Sequence, residues 1–104
     1  MRLALRTYLR PWLEGRRLDD VILAAAEAAG NVIEHAYADA GGTVNVRASI
    51  VGGKIVVEVS DRGRWRLDGD PERGRGLAIM RALVDRVTIE STSGGTNVRL
   101  EVQL

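Results

Sequence analysis

The 104-residue chain has no cysteine, which excludes disulfides and thiolate metal sites and makes a reducing cytoplasm the default compartment. Histidine occurs once, as His35; without a second histidine or a cysteine it builds no zinc site, and it reads first as a packing residue and second as a group within reach of an anion one turn beyond Asn31. Lysine is nearly missing, since Lys54 is the only one among 15 basic residues. Net charge is only +1, so no global basic field draws the chain to nucleic acid. No apolar run approaches the roughly 20 residues that span a bilayer. The opening Met1-Arg-Leu-Ala-Leu-Arg6 lacks the long apolar stretch and small-residue cleavage site of a secretory signal. What is present is ordinary for a soluble globular protein: 45% hydrophobic and 28% charged residues, enough chain for one core without staples. The one unusual concentration is of arginine, with Arg62, Arg64, Arg66, Arg73 and Arg75 in a single short stretch.

Hydrophobic periodicity divides the chain. Residues 2 to 14 alternate arginines with Leu3, Leu5, Leu9, Trp12 and Leu13 in a helical pattern that Pro11 kinks or ends. Glu14-Gly15-Arg16-Arg17 reads as a turn. A second helix is expected from Leu18 to Tyr37 with Asp19 as N-cap. Its apolar stripe is Leu18, Val21, Ile22, Ala25, Ala29, Val32, Ile33 and Ala36, opposite Asp20, Glu27, Asn31 and Glu34. Gly30 in mid-helix costs about 1 kcal/mol against alanine, so close packing or close ligand approach is expected there. Thr43–Val51 and Ile55–Ser60 alternate as strands around the tight turn Gly52-Gly53. Asp61 to Arg75 has no apolar period and reads as a mobile loop, Gly76 to Leu83 as a helix. Val87–Glu90 and Thr96–Val102 are two further strands around Ser91-Thr-Ser-Gly-Gly95. Hairpin-linked strands with one polar face predict an α+β fold, an antiparallel or mixed sheet of about four strands with the helices on one side.

Four segments carry chemistry. Glu27 and Asn31 stand one helical turn apart and project from one face. An amide oxygen suits Mg²⁺, which completes its shell with water and phosphate oxygens, and the carboxylate beside it can take a proton from an attacking hydroxyl. Alone, the pair reads first as a solvated helix face. Asp61 follows the apolar alternation of Ile55, Val57 and Val59 at a strand end, where binding residues gather. Its carboxylate can accept from an adenine amino group, and Gly63 lets a flat base approach the backbone. Gly74-Arg75-Gly76-Leu77 opens the next helix, whose free N–H groups and glycines suit an anion, with Arg75 as the contact to a terminal phosphate. A lone Gly-x-Gly is weak, and this one lacks the Gly-Lys-Ser/Thr of a P-loop. Thr96, after Gly95, starts the last strand, where its hydroxyl can bond a base or a water near Asp61. Trp65 is a lid residue over a base or an exposed anchor for a partner. In order, the four segments describe a site whose nucleotide phosphates are held by backbone and whose magnesium is held by an amide.

From about Leu18 onward, these segments resemble the GHKL ATPase superfamily, and within it the serine-protein kinase/anti-sigma-factor family. "EAAGNVIEHAY" is similar to that family's N-box, "DRG" to its first glycine box, "GRGLAIMRALVD" to its second and "GGTNVRL" to its closing Gly-Thr segment. The resemblance implies a two-layer α/β sandwich, the Bergerat ATP-binding fold, formed by residues 1–104 as one domain. It also implies ATP and Mg²⁺ as cofactors. Carried over, Glu27 takes the general-base place, Asn31 the magnesium place, and Asp61 with Gly63 the adenine place. Gly74 and Gly76 take the lid-hinge and phosphate place, and Thr96 the place near the base. Trp65 stands where a second glycine commonly follows, a form similar to variants fused to a metal-dependent serine phosphatase. The family's usual first strand has no counterpart before the first helix, so a piece of a longer regulatory protein is expected, or a domain that dispenses with that strand.

Two functions follow from the resemblance. One is an ATP-dependent serine kinase acting on a STAS-type anti-sigma-factor antagonist, with or without sequestration of a sigma factor. The other is a degenerate binding module that regulates a sigma factor or a fused phosphatase without catalysis. Neither involves nucleic acid or a membrane directly, and dimerisation is left open.

Overall fold

The computed structural model describes residues 2–36, 44–61, 71–92 and 95–104, with the backbone alone described for 31–36, 71–75 and 91–92. Three helices and four strands follow in the order α1 (Arg2–Leu9), α2 (Gly15–Ala36), β1 (Asn45–Val51), β2 (Lys54–Asp61), α3 (Pro71–Leu83), β3 (Arg86–Thr92) and β4 (Gly95–Gln103). α1 buries Leu5 and Leu9 and stops before Pro11, which has no N–H to continue the ladder and disfavours helical backbone at the residue before it. Leu13 then turns inward, its N–H bonded to the Leu9 carbonyl at 3.0 Å.

Two helix starts lie earlier than the periodicity predicts. The expected turn at residues 14–17 is largely helix, because α2 begins at Gly15. Arg16 and Arg17 are good helix formers, and Arg17 donates to the Gln103 carbonyl at the end of β4. Asp19 is therefore inside the helix rather than its N-cap, and pairs with Arg6 of α1 at 2.9 Å. α3 begins at Pro71, so residues 71–75 of the expected loop are its first turn and more. Asp70-Pro71-Glu72 carries the signature of an acidic N-cap, a first-position proline and an acidic first turn. Tyr37, the expected end of the second helix, and loop residues 62–70 lie outside the described residues.

The sheet is antiparallel throughout, in the order β1-β2-β4-β3. Gly52 and Gly53, with φ of 56° and 77°, form the two-residue turn that joins β1 to β2; both positions need the left-handed region that glycine enters without cost. One face is apolar. Ile55, Val57 and Val59 of β2 stand opposite Val102, Leu100 and Val98 of β4, all buried in one cluster with Leu9, Leu18, Val21, Ala24, Ala25, Ala28 and Met80. α2 lies over β2 and β4 and packs against α1 and α3. Ala24, Ala25 and Ala28 are fully buried where larger side chains would hold it off. Truncating one such residue, as in Leu100→Ala, costs about 2–5 kcal/mol, a large share of the roughly 5–15 kcal/mol that holds a domain together.

The other face is polar. Asn97 donates to Glu58 at 3.1 Å, and Lys54 reaches across to Glu101 at 2.5 Å. That hydrogen bond from Lys54 holds the Glu101 carboxyl below its ordinary value against the opposing effect of burial, with the charges of Lys54, Arg99 and Arg86 assisting. A depressed carboxyl pKa adds stability above the unfolded-state value and loses it as pH falls through the folded-state value. Lys54→Met therefore lowers the urea midpoint at neutral pH. The gap to the parent closes as pH drops below the ordinary glutamate range, and a gap that persists in acid contradicts the assignment.

Gly30 is exposed, and a methyl group built there meets no described atom within 4 Å. Close packing is thus not what keeps it a glycine. Gly30→Ala should stabilise by about 1 kcal/mol and raise the melting temperature by about 4–8 °C; a lower melting temperature would reveal a packing role.

Candidate functional site

The apolar ladder between β2 and β4 ends in a polar pair. Asp61, the last residue of β2, is the direct cross-strand partner of Thr96 in β4. By the two-residue period of strands both side chains stand on the helix-covered face, continuing the rows Ile55-Val57-Val59 and Val102-Leu100-Val98. Asp61 is 8% exposed and Thr96 2%. Opposed residues in an antiparallel pair have Cβ atoms about 4.5–5.5 Å apart, so a carboxylate and a hydroxyl share one place at the edge of the core. Asp61 has partners of its own, and its Oδ2 is buried, with no hydrogen bond among the described residues. A carboxylate held this way favours a ligand that supplies N–H donors, since burying charge without hydrogen bonds is costly.

Gly95 precedes Thr96 with φ of 138°, a conformation that side-chain-bearing residues rarely adopt. Its neighbours in β3 complete the pairing, Thr92 opposite Gly95 and Ser91 opposite Thr96. The turn chemistry therefore fixes where Thr96 enters the sheet, and the sheet fixes its distance from Asp61.

Glu27 lies in α2, half-buried beside the fully buried Ala24 and Ala28. Asn31 follows one helical turn later in the same helix, where backbone alone is described, as it is for His35. α2 packs on β2, β4 and α3, so the helix bearing Glu27 and Asn31 rests on the two strands bearing Asp61 and Thr96.

Gly74, Arg75, Gly76 and Leu77 do not open α3. They are its fourth to seventh residues, counted from Pro71. The amides free of intrahelical acceptors belong to the first turn, at Glu72 and Arg73, so an anion meeting this helix end meets those groups ahead of Gly76. Gly76 is instead buried and Leu77 half-buried; the side chains of Arg73 and Arg75 are beyond what is described, as are Gly63, Trp65, Arg62, Arg64 and Arg66. The sequence signal for this shift was available in the Asp-Pro-Glu triplet. No sequence signal pointed to the burial of Gly76, which depends on how α3 meets α2. Among the described residues no helix is long and apolar enough to cross a membrane.

Comparison with known proteins shows the family. Residues 1–102 match the family described as the histidine kinase-like ATPase domain. The chain is 33% identical to the anti-sigma F factor of Caldanaerobacter subterraneus subsp. tengcongensis, over 93% of this chain and 76% of that protein. It is 31% identical to the serine-protein kinase RsbW of Bacillus velezensis, over 76% of this chain and 61% of that one. Among solved structures it superposes on the RsbU and RsbW domains of Rv1364c from Mycobacterium tuberculosis. That match has a TM-score of 0.78 and 32% identity, and covers 99% of this chain but 28% of that one.

Replacing Gly95 tests how tightly this corner is built. Gly95→Ala forces a strained backbone and should destabilise by about 1–3 kcal/mol in a denaturant titration. An unchanged midpoint would mean that the corner relaxes freely.

Proposed function

We propose that this chain, which belongs to the histidine kinase-like (GHKL) ATPase family, binds ATP with Mg²⁺ in the cytoplasm and acts as an anti-sigma serine-protein kinase. Its substrate is a serine on a STAS-type antagonist protein. The observation that carries the reading is the buried Asp61–Thr96 pair at the end of the helix-covered face. A buried carboxylate beside a hydroxyl is a recognition element for a base with an exocyclic amine, because it rewards a donor and penalises an acceptor. The relatives named anti-sigma F factor and serine-protein kinase RsbW support the protein class.

The residues present fit the nucleotide and its metal. Asp61 accepts from the adenine amino group and Thr96 bonds the ring or a bridging water. Asn31 offers a hard amide oxygen suited to Mg²⁺, which when bound neutralises charge across the phosphates. Glu27 takes the proton of the acceptor serine hydroxyl. Gly63 lets the base approach, and the first two turns of α3, which include Gly74, Arg75, Gly76 and Leu77, hold the terminal phosphate and hinge the segment before them. Glu27 and Asn31 share one helix turn, so base and metal ligand keep a fixed spacing whatever the strands do.

A second reading is favoured by the architecture of the Rv1364c relative, in which an RsbW domain shares a chain with an RsbU domain. In it the domain regulates a sigma factor or an attached phosphatase and holds nucleotide without turning it over. Titration calorimetry with ADP and ATP, with and without Mg²⁺, separates the outcomes. Under the kinase reading Asp61→Asn abolishes binding of both nucleotides, Asn31→Ala removes only the magnesium-dependent part, and Glu27→Ala binds normally but transfers no phosphate. Normal nucleotide binding by Asp61→Asn would sink the site as drawn. Binding without any transfer by the parent chain would favour the regulatory module.

A further inference from the structure

We propose that Asn97 and Glu58 are positioning residues for nucleotide recognition: their hydrogen bond, on the outer face of the sheet, holds the Asp61–Thr96 rung closed. The inference rests on the reading of that rung as the adenine contact, and adds to it a pair from the opposite face.

The rung is the last of its ladder. β2 pairs β4 from Lys54↔Gln103 to Asp61↔Thr96, and the register ends there. Apolar pairs decide which residues oppose each other, but the end of a ladder has a neighbouring rung on one side only and opens first. Beyond Thr96 lies Gly95, with φ of 138°, a residue that puts no side chain across the end. The hydrogen bonding at this rung follows from the β1–β2 hairpin. The pair flanking its two-residue turn, Val51 and Lys54, exchanges hydrogen bonds, so Lys54, Val56, Glu58 and Ser60 turn their backbone groups toward β1. Ile55, Val57, Val59 and Asp61 turn theirs toward β4. Asp61 and Thr96 are therefore a hydrogen-bonded pair, and the spacing of their side chains is only as well defined as those terminal bonds.

The outer face supplies the closure. The Asn97 side chain donates to the Glu58 carboxylate at 3.1 Å in a part-buried bond. The direct partner of Glu58 is Arg99, so the bond runs diagonally, from β2 to the β4 position next to Thr96. Diagonal neighbours are about 7–8 Å apart, within reach of long side chains. Arg47 and Arg99 are the two cross-strand partners of Glu58, opposite charges that favour its place in the row. Around the bond the face is hollow rather than packed, with a space of about 130 Å³ lined by Asn45, Arg47, Glu58, Ser60 and Asn97. All five are polar, so behind the rung the strands are joined by polar contact and not by apolar packing. The Lys54–Glu101 bond takes the corresponding part at the far end of the ladder.

Asn97→Ala removes the donor and leaves both rung residues in place. In the nucleotide-free protein, amide hydrogen exchange at Asp61 and Thr96 should quicken more than at Val57 and Leu100, the opposed pair at mid-ladder. In calorimetry ADP should bind about fivefold more weakly, the effect of one hydrogen bond. IDP offers Asp61 no amino group to lose, so it should bind as it does to the parent chain, and the preference for ADP falls by the same factor. Glu58→Ala should copy these effects, and Glu58→Gln, which keeps an acceptor oxygen, should restore the parent values. A bond with a structural role alone would weaken both nucleotides alike or neither, and either result overturns the proposal. If Asn97→Ala does not fold, the two Glu58 variants decide by the same readings. Equal binding of ADP and IDP by the parent chain would remove the nucleotide reading instead. The exchange rates then decide whether the bond closes the rung, and unchanged rates at Asp61 and Thr96 overturn it.

Discussion

The antiparallel pairing of β2 with β4 is the constraint on which the rest of the molecule depends. These are the two central strands, and their opposed residues Ile55–Val102, Val57–Leu100 and Val59–Val98 form the floor of the core. A slip of one residue would turn every one of these side chains to the polar face, exposing the apolar rows and burying Glu58 and Arg99. The register is therefore held by the hydrophobic effect over the whole length of the ladder. Asp61 and Thr96 are aligned as a consequence: apolar pairs further along the strands set the register that opposes them. The free energy that folds the sheet also preorganises this pair, so under the proposed nucleotide reading little ordering remains to be done when a ligand arrives.

The helices divide their tasks along the same line. α2 carries Glu27 and Asn31 and is held by its buried alanines against β2, β4 and α3. α1 is tied to α2 by Arg6–Asp19 and to the core by Leu5 and Leu9. It leaves the inner side of β1 partly uncovered, because a single short helix cannot span the width of four strands. The Asp61–Thr96 pair thus sits at the end of the well-packed β2–β4 ladder, while the inner side chains of β1 are only half-buried.

Much of this was legible in the sequence, and what was not has identifiable causes. The strands announced themselves by alternation between Val44 and Ile50 and between Ile55 and Val59, and the Gly52-Gly53 turn joined them correctly. Helix interiors were legible from their stripes. Helix starts were not, since Arg16, Arg17 and Pro71 lie outside the apolar period and enter their helices through propensity and capping chemistry. In the site, Glu27 and Asn31 were linked by local spacing alone, and Asp61 and Thr96 were each placed correctly at a strand end and a strand start. Their direct opposition was not legible, because residues 35 positions apart meet only through a register that the whole ladder sets. The start of α3 was misplaced for a related reason: a glycine pair suggests a helix opening there, but the helix begins at Pro71 and Gly76 is buried within it.

The central claim is that the Asp61–Thr96 corner reads the amino group of adenine. The most direct test compares the binding of ADP with that of IDP, which differs in presenting a carbonyl oxygen where adenine has its amine. A buried carboxylate facing that oxygen loses its donor, so IDP should bind roughly 100-fold more weakly than ADP. Equal affinities would mean that Asp61 does not touch the base and that the corner is a structural feature of the sheet end.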